Sequence, residues 1–170
     1  MSKMPDLIRN VPFDEITLGQ TASLQRTLTW RDLELFALVS GDVNPMHLDP
    51  EFAATTRFHH LIAHGMWGGA LISALLGTRL PGPGTIYLSQ ELKFLRPVSL
   101  GDTVTATVCV IELEPEHRRV VLDCRCTDQE GNEVIAGRAL VIAPSEKLVR
   151  EAPHLPEVTL VPEGPSHGAC

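Results

Sequence analysis

No run of lysines or arginines occurs anywhere in the chain, and its formal net charge is -7. Nucleic acid and anionic membrane surfaces are therefore not expected as main partners, because clustered basic side chains carry both kinds of binding. Small ligands are less constrained, since a few local cations and backbone N–H groups suffice to hold the phosphates of a nucleotide. A long hydrophobic run is also missing. The longest uncharged apolar stretch, Gly65 to Thr78, is broken by glycines and falls short of the ~20 residues that a membrane-spanning helix needs. Met1 to Asn10 lacks the apolar centre of a secretory signal, so a reducing cytoplasm is the expected compartment. No internal repeat is visible.

Of the four cysteines, Cys109, Cys124, Cys126 and Cys170, none has the spacing of a metal-binding set. Cys124 and Cys126 flank Arg125 in a strand-like run, point the same way, and read as two small buried hydrophobes. Zinc needs about four ligands and no second Cys/His pair has matching spacing, so neither metal nor cofactor is expected. A length of 170 residues, 44% of them hydrophobic and 21% charged, suits one ordered domain with a single core. That domain is placed at 1–143. Pro144 to Cys170 holds five of the 13 prolines and has no periodicity, which reads as an extended tail or linker.

Strand-like alternation begins at Thr21 and runs to Thr29. Thr29 then has the position of an N-cap, with Asp32 three residues on in place of the usual capping-box glutamate. Leu33, Phe36, Ala37 and Val39 recur at helical spacing, and Gly41 stands where such a helix stops. Asp49-Pro50 is a cap and first-turn proline for a short helix through Thr55. A longer helix, from near Gly65 to about Leu80, is apolar nearly all round and is expected to be buried on most sides. Its Gly68 and Gly69 cost helix propensity, which points to close approach of a backbone or ligand. Alternating runs over Thr85–Leu95, Thr103–Leu113, Val120–Cys126 and Glu133–Ala143 complete an α+β pattern, a curved antiparallel sheet wrapped around one apolar helix.

The segment Ser40-Gly41-Asp42-Val43-Asn44-Pro45-Met46-His47 places a carboxylate, an amide and an imidazole on one turn after a helix. A carboxylate and a neutral imidazole sharing one water suit proton transfer near neutral pH. The plainer reading is that Asp42 and Asn44 bond the turn backbone while His47 lies on the surface. A second constellation is His64-Gly65 at the head of the long helix, where unpaired N–H groups and the dipole favour an oxygen gaining negative charge. His64 itself reads as a structural or capping histidine. No acid completes a ligand set with His59, His60 and His64 at a recognised spacing.

These residues carry a family resemblance. Ser40-Gly41-Asp42-x-Asn44-Pro45-x-His47, Phe52-Ala53, Phe58, His64-Gly65-Met66, Phe94-x-x-Pro97-Val98 and Gly101-Asp102-Thr103-Val104 follow the order seen in the MaoC-like, (R)-specific enoyl-CoA hydratases, over about residues 12 to 143. Ala63 to Gly68 and Leu80 to Thr85 are also similar to the hydratase domain fused to phosphate acetyl- or butyryltransferases. The resemblance implies a hot-dog fold and reversible hydration of trans-2-enoyl-CoA to (R)-3-hydroxyacyl-CoA. By it, Asp42 and His47 hold the water, Asn44 orients that water or the imidazole, and the Gly65 N–H meets the thioester oxygen. Ser73 and Leu76 are candidates for setting acyl-chain length, and Lys93 and Arg96 for meeting the coenzyme A phosphates. A homodimer or larger homo-oligomer is implied too. The alternatives are a hot-dog thioesterase, revealed by release of free coenzyme A, and a non-catalytic acyl-CoA-binding or assembly module.

Overall fold

The computed structural model describes residues 7–160. Its main sheet is antiparallel, built from β2 (Thr21–Thr27), β3 (Ile86–Phe94), β4 (Thr103–Glu114), β5 (Arg119–Thr127) and β6 (Glu133–Ile142), in the order β2-β4-β5-β6-β3. Between β2 and β3 the chain forms α1 (Trp30–Ser40), α2 (Pro45–Leu48), α3 (Pro50–Thr55) and α4 (Gly65–Thr78). Alternation along the strands places Val104, Ala106, Val108 and Val110 of β4 and Val120, Leu122, Cys124 and Cys126 of β5 on one buried face. Helix α4 lies in that hollow and presents Trp67, Leu71, Ile72, Leu75 and Leu76 to the sheet. Each fully buried aliphatic side chain contributes about 1.5–3 kcal/mol relative to exposure, so this layer dominates stability.

Local sequence fixes the helix ends. Thr29 and Asp32 form the reciprocal capping box, and Gly41 ends α1 in the left-handed region at φ 75°. Asp32 is buried, which raises its pKa. Hydrogen bonds from Thr29 and Arg26, with the Arg26 charge, outweigh that and hold its carboxyl below the usual range. Asp49 caps α3 through Glu51 and Phe52, with Pro50 in the first turn.

Three features differ from the sequence expectation. Helix α4 is not buried on most sides: Met66, Ala70, Ser73, Ala74, Gly77 and Thr78 are exposed, because the sheet of one chain covers only one side of it. The alternation of β3 breaks at a register shift between Tyr87 and Ser89, which leaves Ile86 and Leu88 exposed. Beyond residue 143 the chain is not all tail, since β7 (Val149–Glu151) pairs antiparallel with β1 (Leu7–Arg9). Asn10 fastens this junction. Its side chain donates to the carbonyls of Pro83 and Glu146 and accepts from the Leu148 N–H.

Cys124 and Cys126 are buried free thiols, and burial pushes them up to about 11 and about 12 respectively. Cys109 is partly exposed and also free, while Cys170 lies outside the described residues.

Where β3 crosses β6, Gly137 faces the β3 backbone so closely that a Cβ there would sit 1.9 Å from the Glu91 carbonyl oxygen. Neither strand can yield without losing its ladder. Gly137→Ala is expected to lower unfolding stability by about 3 kcal/mol, the upper end of ordinary overpacking costs, as read from the midpoint of urea denaturation.

Candidate active site

The loop from Gly41 to Asn44 is shaped by its own polar side chains. Ser40 Oγ donates to the Phe36 carbonyl at 2.6 Å and accepts from the Asp42 N–H at 3.2 Å. One oxygen of Asp42 accepts from the Asn44 N–H at 3.1 Å, and Asn44 Oδ1 accepts from the Met46 N–H at 3.2 Å as the N-cap of α2. The plainer reading of this turn therefore holds for its hydrogen bonds. It fails for His47, which is only 7% exposed.

The His47 ring is fixed by the segment leading into α4. Ala63 N–H donates to the Val98 carbonyl and Ile62 bridges to Ser99, which pins residues 62–63 against the chain after β3. The Ile62 carbonyl then lies 2.9 Å from His47 Nδ1. A carbonyl only accepts, so Nδ1 carries the proton and Nε2 keeps its lone pair in the neutral ring. Burial pushes the His47 pKa down, the Ile62 hydrogen bond acts against this, and His64 lowers it while Asp42 raises it. The net effect is a value below the ordinary 6.5. The ring is neutral at neutral pH.

His64 is 2% exposed and lies between two rings, 4.0 Å from the His47 centroid and 5.0 Å from that of Phe36. Its Nε2 donates to the Asp42 backbone carbonyl at 3.0 Å, joining residues 22 apart, and its buried Nδ1 has no partner. It makes no side-chain cap for α4, so its structural part is to hold the Asp42 loop over the head of that helix. The outcome is convergence. One carboxylate oxygen of Asp42 and one ring nitrogen each of His47 and His64 lie within 4.8 Å of one another. Among the described residues this group has the spacing to hold a cation, as do Glu114, Glu116 and His117. The acid beside His64 is Asp42, 22 residues away in sequence, a separation that no recognised ligand spacing covers. His59 and His60 turn elsewhere, to the Ala54 carbonyl and to Ser99.

A cavity of ≈ 240 Å³ adjoins the two histidines, lined by His47, His64, Gly65, Trp67, Phe94 and Ile135 among others. Gly65 allows the Phe94 ring to approach closely, since a Cβ there would sit 3.1 Å from it. Gly68 admits Ile135, whose Cδ1 would lie 2.3 Å from an added Cβ. Of the expected ligand residues, Arg96 lines the cavity. Lys93 does not, because successive strand side chains point to opposite faces and its neighbour Phe94 takes the cavity side. Ser73 lies on the uncovered side of α4 and Leu76 is buried in the core, both farther along the helix than the cavity reaches. Arg57 and Phe58 line it too, and no sequence pattern pointed to Arg57.

A curved antiparallel sheet around one central helix, with an acid and an imidazole at the head of that helix, is the hot-dog architecture. Residues 15–125 match the MaoC like domain. An (R)-specific enoyl-CoA hydratase from Rhodospirillum rubrum is 51% identical over 133 residues, 78% of this chain and 92% of its own. A 3-hydroxybutyryl-CoA dehydratase from Methylorubrum extorquens is 46% identical over 145 residues, 85% of this chain and 90% of its own. The unliganded R-hydratase PhaJ1 from Pseudomonas aeruginosa superposes with a TM-score of 0.89 at 48% identity, covering 92% of this chain and 100% of that one. The chain belongs to the MaoC-like family.

The lowered pKa of His47 links the site to stability. Between that value and the ordinary 6.5 the unfolded chain binds more protons than the folded one. This stabilisation is complete above 6.5 and is lost as the pH falls through the lowered value. The thermal midpoint is therefore expected to rise with pH across this window, and His47→Gln to flatten that slope in a series of melts.

Proposed function

We propose that the chain is an (R)-specific enoyl-CoA hydratase, adding water reversibly and in the syn sense to trans-2-enoyl-CoA to give (R)-3-hydroxyacyl-CoA. The observation that carries the reading is the convergence of the Asp42 carboxylate with the His47 imidazole at the head of α4. The names of the R. rubrum and P. aeruginosa relatives agree with it.

In this reading a water sits between Asp42 and the His47 Nε2 lone pair, held also by the Asn44 amide. Its oxygen attacks C3 of the enoyl thioester as the pair takes one of its protons. The pair returns one proton to C2 on the same face, so H and OH add together and the pair ends as it began. Asp42 and His47 act on the same water, and the acid and base roles are shared by the pair. Negative charge gathers on the thioester oxygen, beside the Gly65 N–H and the positive end of α4. One such donor contributes about 10²- to 10³-fold in rate, and a placed acid or base roughly 10²- to 10⁴-fold. Trp67, Phe94, Val98 and Ile135 provide the apolar wall for the acyl group. Longer chains would follow α4 towards Ser73. A thioesterase working through Cys124 or Cys126 is not supported, since these buried thiols are pushed far above neutral pH.

The same reading includes a cytoplasmic homodimer. Strand β3 is an edge of the sheet, with Ile86 57%, Leu88 44% and Phe94 53% exposed, and the uncovered side of α4 lies beside it. Apolar edges of this kind call for cover, and a second copy meeting β3 to β3 across a twofold axis would supply it.

Two measurements test these points. Asp42→Asn and His47→Gln are each expected to lower crotonyl-CoA hydration by at least about 10²-fold with the far-ultraviolet circular dichroism unchanged. Full activity in either would remove that residue from the chemistry. Leu88→Lys is expected to shift the mass measured by light scattering from dimer to monomer, and an unchanged dimer would place the interface elsewhere.

A further inference from the structure

The chain carries 21 acidic residues against 14 basic ones, yet no aspartate or glutamate lines the cavity beside His47. Its charged lining consists of Arg57 and Arg96, both exposed, alongside the two histidines. Arg57 comes from the loop after α3 and Arg96 from the chain just after β3, so two separate segments each bring a guanidinium to one opening. Arg96 is steadied by a 2.7 Å hydrogen bond to the Glu133 carbonyl, and its charge also acts on Asp128. Arg57 lies against the Phe58 ring, 4.7 Å from its centroid, and has no ion pair among the described residues. In so acidic a protein, an arginine without a carboxylate partner at a cavity rim is a standing anion receptor.

Cavity size limits how much of the substrate fits inside. At ≈ 240 Å³ the space is smaller than the roughly 300 Å³ at which pockets begin to enclose a drug-sized ligand. An acyl thioester and the start of its pantetheine arm would fill it, leaving the phosphate end of the carrier outside at the arginines.

We propose that Arg57, acting with Arg96, binds the phosphate that joins the pantetheine arm to its carrier and so selects phosphorylated thioesters over plain ones. This rests on the hydratase reading, adds Arg57 to the Arg96 that the family resemblance already set towards the coenzyme A phosphates, and names which phosphate the two would hold. The phosphate is common to coenzyme A and to the prosthetic group of an acyl carrier protein, whereas the nucleotide occurs in coenzyme A alone. Lys93 takes no part, because it lies on the other face of β3.

The test compares crotonyl thioesters of pantetheine, 4′-phosphopantetheine, coenzyme A and acyl carrier protein. Arg57→Ala is expected to raise KM for crotonyl-CoA about 10-fold, the loss of one charge-assisted hydrogen bond, while kcat is kept. The wild-type preference for the phosphopantetheine thioester over the pantetheine thioester should shrink by the same factor. Arg57→Lys should recover part of the loss. Added salt should raise the wild-type KM more steeply than that of the Arg57→Ala, Arg96→Ala double variant. A loss confined to crotonyl-CoA would assign Arg57 to the nucleotide phosphates, and a loss confined to the carrier-protein substrate would assign it to the protein; either overturns the shared-phosphate proposal. An unchanged KM, or an equal loss on crotonyl-pantetheine, overturns it as well. Calorimetric binding of butyryl-CoA separates the two readings. If the wild type hydrates none of the four thioesters but binds butyryl-CoA about 10-fold more tightly than Arg57→Ala, the hydratase reading fails and the phosphate contact stands.

Discussion

Helix α4 can bury its apolar side only against the concave face of the sheet, and much of the molecule follows from that fit. Gly68 lets Ile135 press against the helix, and Gly65 lets Phe94 lie across its first turn. Larger residues at these two positions would crowd the helix head where the cavity lies. The same fit turns the head of α4, with its unpaired N–H groups, towards the loop that carries Asp42. Packing and chemistry thus share one constraint.

The site is assembled by backbone groups as much as by side chains. His64 reaches the Asp42 carbonyl, His47 reaches the Ile62 carbonyl, and the Ile62 segment is itself pinned to the chain beyond β3. Each imidazole spends one nitrogen on position. For His47 this leaves the other nitrogen as an acceptor, and burial favours the neutral ring that can use it. The desolvation that makes His47 costly to charge is the property that keeps it ready to take a proton.

Much of this could be read from the chain alone, where a local rule governs. The Thr29–Asp32 box, the Gly41 stop and the Asp49-Pro50 start depend on neighbours within a few residues, and each occurs where its pattern placed it. The convergence of Asp42 and His47 was legible because a turn brings close residues together. Features that depend on distant partners were not. The apolar sequence of α4 does not reveal that a single sheet leaves Ala70, Ser73 and Ala74 uncovered. Neither the slip at Leu88 nor the pairing of Val149–Glu151 with the first strand has a local signature. Asn44 has a second task that its place in the motif does not reveal, its oxygen capping α2. Arg57 was invisible because its meaning comes from a cavity made by residues far along the chain.

The two sulfurs sealed beneath β5 have a consequence for durability. Attack by peroxide or an alkylating agent begins from the ionised sulfur, and Cys124 and Cys126 combine near-complete enclosure with thiols that hold their protons well into the alkaline range. Oxidative insult would have to open the protein before it could damage the interior. Such resistance belongs to the packing, and it lasts as long as the strands stay closed over the helix.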